Sequence, residues 1–355
     1  MDEAARDYIG ASLIDSRADD DIDEGGDLAA TRRFTATAAH RGLRVDKVLA
    51  LLLPEVSRTR IQQWIEQGAI RINGVAPRAR DAVVEGDAIE VAPPPAPDAL
   101  AFAPEAMALD IVTEDDSIIV LDKPPGLVVH PAAGNWSGTL LNGLLAHDAN
   151  LAQVPRAGIV HRLDAGTSGL MVVARTVAAQ TDLVRQLQAR SVLREYWAIV
   201  VGATPLAGTI DAAIGRDPRN PVKFRVSRAS SAREARTSFR RIECIDAGGI
   251  QLSWVACRLH TGRTHQIRVH FESIGHPLVG DPLYRRGRPA AAGQADTGLA
   301  WAIFPRQALH ACRLAFLHPV RGERMEWFRP PPADMQRMMR AAGFGRCDRA
   351  RDVFG

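Results

Sequence analysis

Apolar positions along this chain switch between helical and strand spacing, and the switches outline its elements. Val45, Val48, Leu49 and Leu52 recur at helical spacing, and Ser57 is placed to cap a second helix bearing Ile61, Trp64 and Ile65, which Gly68 ends. Ile70-Arg71-Ile72-Asn73-Gly74-Val75 reads as a strand entering a turn, because Asn-Gly readily supplies positive backbone dihedrals; residues 83–91 suggest another short strand pair. After the extended spacer Pro93-Pro94-Pro95-Ala96-Pro97, the run Ile118-Ile119-Val120-Leu121 predicts a buried strand ending at Lys123-Pro124-Pro125-Gly126. A second apolar run, Leu127-Val128-Val129, is closed by His130-Pro131. Further β-like segments span residues 171–174, 196–201, 251–258 and 267–271, while 178–189 is helical in pattern. The expected fold class is α+β, a mixed and mainly antiparallel-sheet domain behind a small N-terminal unit.

Charge adds a partner to this picture. The formal net charge of +3 is unevenly spread: residues 1–30 carry ten acidic and two basic side chains, net −8, which leaves +11 on the remainder. The acidic tract repels itself and has little to bury, so residues 1–38 are expected to be a disordered tail. Residues 41–80 hold eight Arg or Lys against three acids, a spacing that suits a phosphate-facing patch or, more plainly, a solvated basic face. Trp64 shares the face of Ile61 and Ile65 and is expected in the core. Arg44-Val45-Asp46-Lys47-Val48-Leu49, Ser57-Arg58-Thr59-Arg60-Ile61-Gln62 and Gly68 through Gly74 together resemble an S4-type RNA-binding domain over residues 41–91. That resemblance implies two helices on a small sheet, with Arg58, Arg60 and Arg71 as the first candidates for phosphate contact.

The chemistry concentrates in two polar clusters. His161-Arg162-Leu163-Asp164-Ala165-Gly166-Thr167-Ser168-Gly169 puts one carboxylate between basic side chains and a flexible turn, just before the apolar run at residues 170–174. A loop meeting a strand is a rigid place to hold a nucleophile, although a buried ion pair beside a turn would show the same residues. Thr261-Gly262-Arg263-Thr264-His265-Gln266-Ile267-Arg268-Val269-His270 reads as a cavity wall. There Arg268, alternating with Ile267 and Val269 as on a strand, would project into the cleft and keep Asp164 ionised. His260, His265 and His270 are spaced by five, which fits neither a short strand ligand pair nor a helical HExxH zinc site. The chain has no Walker lysine loop and no dinucleotide fingerprint, so neither a metal nor an organic cofactor is expected. Cys244, Cys257, Cys312 and Cys347 are too far apart for a zinc knuckle and read as reduced thiols. No run of 18 apolar residues occurs and Met1-Asp2-Glu3 is unlike a signal peptide, so the expected location is cytoplasmic, with no membrane partner.

Gly158-Ile159-Val160-His161-Arg162-Leu163-Asp164, Arg194-Glu195-Tyr196-Trp197-Ala198 and the cluster at 261–270 are the signatures by which residues 41–333 resemble the RluA-type pseudouridine synthase family. Gly280-Asp281-Pro282-Leu283-Tyr284 and Arg306-Gln307-Ala308-Leu309-His310-Ala311 support the likeness. The resemblance implies isomerisation of uridine in structured RNA without cofactor, with Asp164 as catalytic aspartate, Tyr196 as active-site tyrosine, Arg268 as the basic partner of the carboxylate and Arg162 holding the displaced nucleotide. It further implies 23S rRNA or a large-subunit assembly intermediate as partner, with the helix 69 loop as target; Met325-Glu326-Trp327-Phe328-Arg329-Pro330 supports that subtype. A synthase for another structured RNA site, a noncatalytic RNA-binding assembly factor and a hydrolase or lyase using Asp164 are the alternatives. Where relatives often have a charged pair after the aspartate, this chain has Ala165-Gly166. The implied organisation is a tail (1–38), an S4-like domain (41–91), a Pro-rich linker (92–104), a catalytic domain (105–333) and a C-terminal tail (334–355). Nothing in the sequence fixes an oligomeric state.

Overall fold

Ser57 and Gly68 bound a helix as their residue types predict. The Ser57 hydroxyl accepts from the Arg60 N–H at 3.3 Å, and Gly68 turns the chain at φ +72°. The computed structural model describes residues 31–93, 101–132, 135–285, 301–345 and 353–354, and it divides into the units Met1–Ala99 and Leu100–Gly355. The acidic tract at 1–30, most of the proline-rich spacer and Cys347 lie outside the described residues.

In the N-terminal unit β1 (Arg32–Thr35), β2 (Ile70–Ile72) and β3 (Ala88–Val91) form an antiparallel sheet ordered β1-β3-β2. Helices α1 (Val45–Leu52) and α2 (Arg58–Glu66) share its core through Val45, Val48, Leu49, Ile61, Trp64 and Ile65. Asn73 and Gly74 take φ of 50° and 80°, the tight turn expected of that pair. Two expectations are corrected. Arg32–Thr35, assigned to the tail, is a strand because its backbone pairs with β3 from Arg32↔Val91 to Thr35↔Ala88, a pairing invisible to composition. Residues 83–91 give one strand rather than two, since the backbone of Val83 bonds instead to Gly42 and Leu43.

The second unit is built on a nine-stranded sheet. Its first strands are β4 (Ile111–Glu114), β5 (Ile118–Lys123), β6 (Ser168–Ala174), β7 (Leu193–Val201) and β8 (Ala207–Asp211). A separate hairpin of β9 (Ile214–Asp217) and β10 (Asn220–Val226) follows, then β11 (Arg236–Asp246), β12 (Gln251–Leu259), β13 (Leu309–Leu317) and β14 (Arg324–Phe328). The order is β4-β5-β6-β13-β7-β12-β11-β8, with β14 also on β13. Neighbours are antiparallel except β6 and β13, which run parallel through His310↔Ser168 and Ala311↔Gly169. Gly169 allows that approach: at φ +122°, an added Cβ would lie 2.3 Å from the Ala311 carbonyl oxygen.

Strand alternation splits the core. Tyr196, Ala198 and Val200 face a cluster closed by α3 (Leu140–His147) and α5 (Gln266–Ser273), while Trp197, Ile199 and Val201 face one closed by α6 (Ala333–Ala342). Helix α4 (Val177–Gln188) covers Ile118, Val120, Leu170 and Val172 through Ala179 and Leu183.

Three sequence expectations fail in this unit. Residues 127–129 form no strand. Residues 267–271, expected as a strand, are helix α5, and so Arg268 projects from a helix. The alternation Gln266-Ile267-Arg268-Val269-His270 does not mark a wet face and a dry one, because all five are buried. The polar three are satisfied inside: Gln266 by Thr261, Arg263, Arg236 and Thr237, His270 by Thr237 and Ala212, Arg268 by two carboxylates. Finally, the supposed C-terminal tail contains α6, whose Met335, Met338 and Met339 recur at helical spacing and are buried.

Candidate active site

Asp164 stands in the loop that feeds β6, and the loop is held from two sides. Its own carbonyl accepts from the Thr167 N–H at 2.9 Å, closing a turn. From β5, the fully buried Lys123 ammonium donates to the carbonyls of Pro124 (2.8 Å), Leu127 (2.8 Å) and Ala165 (3.0 Å), and the Gly126 N–H adds a 2.7 Å bond to Ala165. From the segment before β13, Arg306 donates to the Gly166 carbonyl at 3.0 Å and the Gln307 amide to the Thr167 hydroxyl at 3.1 Å. Arg306 is gripped in turn by Asp334, at the start of α6, through bonds of 2.8 and 3.0 Å.

The carboxylate itself meets α5. Arg268 donates from Nη1 to Asp164 Oδ2 at 2.9 Å and clamps Asp281 with its other edge, at 2.7 and 3.0 Å. Asp281, wholly buried, also accepts from the Leu283 and Tyr284 N–H groups, so it cannot follow a moving guanidinium. The Arg268 guanidinium lies 4.9 Å from the Tyr284 ring centre. Burial opposes the charge on Arg268, but the two carboxylates outweigh it and raise its pKa. For Asp164 burial likewise favours the neutral acid, and the electrostatic pull of its neighbours, His265 ahead of Arg268 and Arg162, reverses this and holds its pKa below the usual value. His265 is pushed by burial toward its neutral form, against the pull of Asp164. At neutral pH the permanent cation on Arg268 therefore keeps the carboxylate ionised.

Tyr196 on β7 is buried, and its hydroxyl is pushed up to about 12 by burial, with Arg194 opposing and the Asp164 carboxylate adding to the rise. It is thus a neutral phenol within electrostatic reach of the nucleophile candidate. Arg162 is exposed beside Asp164 and adds to the field on it. His161 faces the other way: its Nε2 accepts from the Val172 N–H at 3.1 Å, and burial, helped by Arg194, lowers its pKa to about 3. It is an architectural imidazole. His260, His265 and His270 bond to Ser238, Tyr284 and Thr237 respectively, three separate tasks.

Arg58, Arg60 and Arg71 belong to the N-terminal unit and are considered there alone. Arg58 is 55% exposed yet anchored by two bonds, 2.9 and 3.2 Å, to Asp46, which has no exposure. Asp46 also takes Arg44 and Gln62, so one buried carboxylate aims two arginines outward. Arg60 lies 5.8 Å from the Trp64 ring centre, and the exposed Arg71 donates to the Gly74 carbonyl at 3.2 Å. Sequence reasoning assigned no role to Lys123, Asp281, Tyr284, Arg306, Asp334 or Asp46. The Lys-Pro-Pro-Gly stop after an apolar run was the available signal for Lys123; Asp46 has no local signal, because its partners are 2, 12 and 16 residues away.

Comparison with known proteins gives the chain its family. Residues 117–273 match the family model described as RNA pseudouridylate synthase, and residues 43–89 match the S4 domain. The chain is 49% identical over 298 residues to the ribosomal large subunit pseudouridine synthase D of Neisseria meningitidis serogroup B, spanning 84% of this chain and 78% of that one. It is 50% identical over 314 residues to the protein of the same name in Xanthomonas campestris pv. campestris, spanning 88% and 93%. The solved human RNA pseudouridylate synthase domain containing 4 shares the fold, with a TM-score of 0.51 at 23% identity over 65% of this chain and 92% of that one.

Proposed function

This chain belongs to the RluA-type family of RNA pseudouridine synthases with an S4 domain, and from that membership we propose that it converts uridines of 23S rRNA, in the loop of helix 69, to pseudouridine. The ribosomal substrate is supported by the names of its relatives at 49% and 50% identity; the helix 69 target rests on the whole-chain resemblance. The partner is then 23S rRNA or a large-subunit assembly intermediate in the cytoplasm.

The observation that carries the catalytic reading is the array Asp164–Arg268–Asp281, which presents one ionised carboxylate on a fixed support. Uridine leaves its stack and enters the site. Asp164 acts at the ribose, at C1′ or by another sugar-centred route, and the N1–C1′ bond breaks. The detached uracil turns and a C5–C1′ bond forms; the hydrogen lost from C5 is balanced by one gained at N1, so mass is conserved. Arg268 keeps Asp164 charged and aimed. Tyr196 packs against the base and takes part in removing the C5 proton. Arg162 fills space or meets phosphate around the flipped nucleotide. Arg58, Arg60 and Arg71 bind RNA phosphates from the S4 unit.

Asp164→Asn is expected to abolish conversion while leaving the fold and RNA affinity intact. Purified wild-type and variant proteins, incubated with large-subunit rRNA and mapped nucleotide by nucleotide, provide the test. Signal in helix 69 that depends on Asp164 supports both chemistry and target. Signal elsewhere points to another structured site, turnover by the variant refutes the role of Asp164, and silence from wild type on rRNA and assembly intermediates alike favours a noncatalytic assembly factor.

A further inference from the structure

His265 is a polar side chain beside Asp164 Oδ1 that the catalytic reading leaves unused. Its Nε2 lies 3.9 Å from Oδ1, while Arg268 occupies Oδ2 at 2.9 Å. Behind it runs a short hydrogen-bond chain: the Phe224 N–H donates to the Tyr284 hydroxyl oxygen at 3.0 Å, and that hydroxyl lies 2.8 Å from His265 Nδ1. Burial pushes the Tyr284 phenol up to about 12, against the Phe224 N–H and Arg268, so it keeps its proton. The protonated phenol can donate to Nδ1, and a neutral imidazole that accepts at Nδ1 carries its hydrogen on Nε2. The rings of Phe224 and Tyr284 pack edge-on against the imidazole at 5.9 and 5.6 Å. His265 also holds a left-handed backbone, φ +56°, at the start of α5, a conformation that for a residue with a Cβ persists only where its surroundings impose it.

We infer that His265 is a positioning residue for the nucleophile: Tyr284 fixes its tautomer so that Nε2–H faces Asp164 Oδ1 and steadies the carboxylate without consuming the lone pair that reacts. The inference rests on the reading of Asp164 as nucleophile. A distance of 3.9 Å is too long for a hydrogen bond, so the N–H dipole orients Oδ1 while leaving it open to the ribose. An imidazolium in the same place would pair with the carboxylate and blunt it. By donating to Nδ1, Tyr284 blocks the position the second proton would take. The charged groups around the ring are Asp164 and Arg162 from the loop, Arg268 from α5 and Asp281 from the turn after it, with Lys223 of β10 over the Tyr284 ring at 5.5 Å.

The test is the single-turnover rate of the full chain on large-subunit rRNA as a function of pH. Tyr284→Phe keeps the ring over Arg268 but frees Nδ1, so although burial still disfavours the imidazolium, His265 should take up a second proton more readily than in wild type and the acid limb of the rate profile should move to higher pH. A rate loss equal at every pH would assign Tyr284 to packing and overturn the inference. Should Tyr284→Phe fail to fold, the comparison of His265→Gln with His265→Leu decides: the amide can offer an N–H to Oδ1, so kcat should fall about tenfold further in the Leu variant with KM unchanged. Equal losses in the two overturn the inference. Activity retained by Asp164→Asn in the same assay would instead sink the nucleophile assignment.

Discussion

Lys123 shows how much one side chain contributes to the placement of another. All three of its N–H bonds go to carbonyls, one of them Ala165 next to the nucleophile candidate. Lys123→Met is expected to destabilise the second unit by about 2 kcal/mol in urea unfolding near neutral pH, because carbonyls that it now satisfies lose their donor. Burial lowers the lysine pKa to about 7, with the Asp164 carboxylate opposing that fall. The unfolded chain, with a lysine pKa of about 10.4, therefore binds more protons between the two values, and the contribution of Lys123 to stability grows as pH rises through that window. The gap between wild type and variant should widen from about pH 7 to about pH 9.5; a constant gap would show that burying the ammonium costs nothing. Asp164 itself is legible in the sequence because the polar motif that carries it, His161 to Gly169, is continuous, although the Arg268 that meets its carboxylate stands 104 residues away. Lys123 and Asp281 are not, since what each does depends on a partner brought close only by the fold.

Elements differ in the same way. The helices of the N-terminal unit can be read off because one face is apolar, the other wet, and Ser57 caps locally. Helix α5 misleads because it is buried all round, and buried polar side chains with internal partners imitate the alternation of a strand. Helix α6 carried a readable Met335, Met338, Met339 stripe, but what it supports lies far away in sequence: Asp334 holds Arg306, and Arg306 holds Gly166. Asp334→Ala should release that strut. The expected result is a kcat about tenfold lower with RNA affinity unchanged, since the loop loses its aim and not its substrate. Single-turnover kinetics beside a direct binding measurement would separate the two, and a loss in affinity alone would mean that α6 serves binding.

At the scale of the whole molecule, one unit carries the arginines proposed to meet phosphate and the other holds the carboxylate proposed to react. Replacing Arg58 and Arg60 together by Ala should weaken RNA binding and flatten the plot of log affinity against log salt by about 1.5, one lost counterion-releasing contact each. An unchanged slope would place the phosphate contacts elsewhere. The long-range struts also order events in time. Gly166 is bonded by a residue 140 positions downstream, and that residue is held by another 28 further on. At an elongation rate of about 5–20 residues per second, roughly ten to thirty seconds separate their synthesis. The S4 unit is synthesised before that interval ends, so on the proposed function a nascent chain is born able to hold RNA and still unable to alter it.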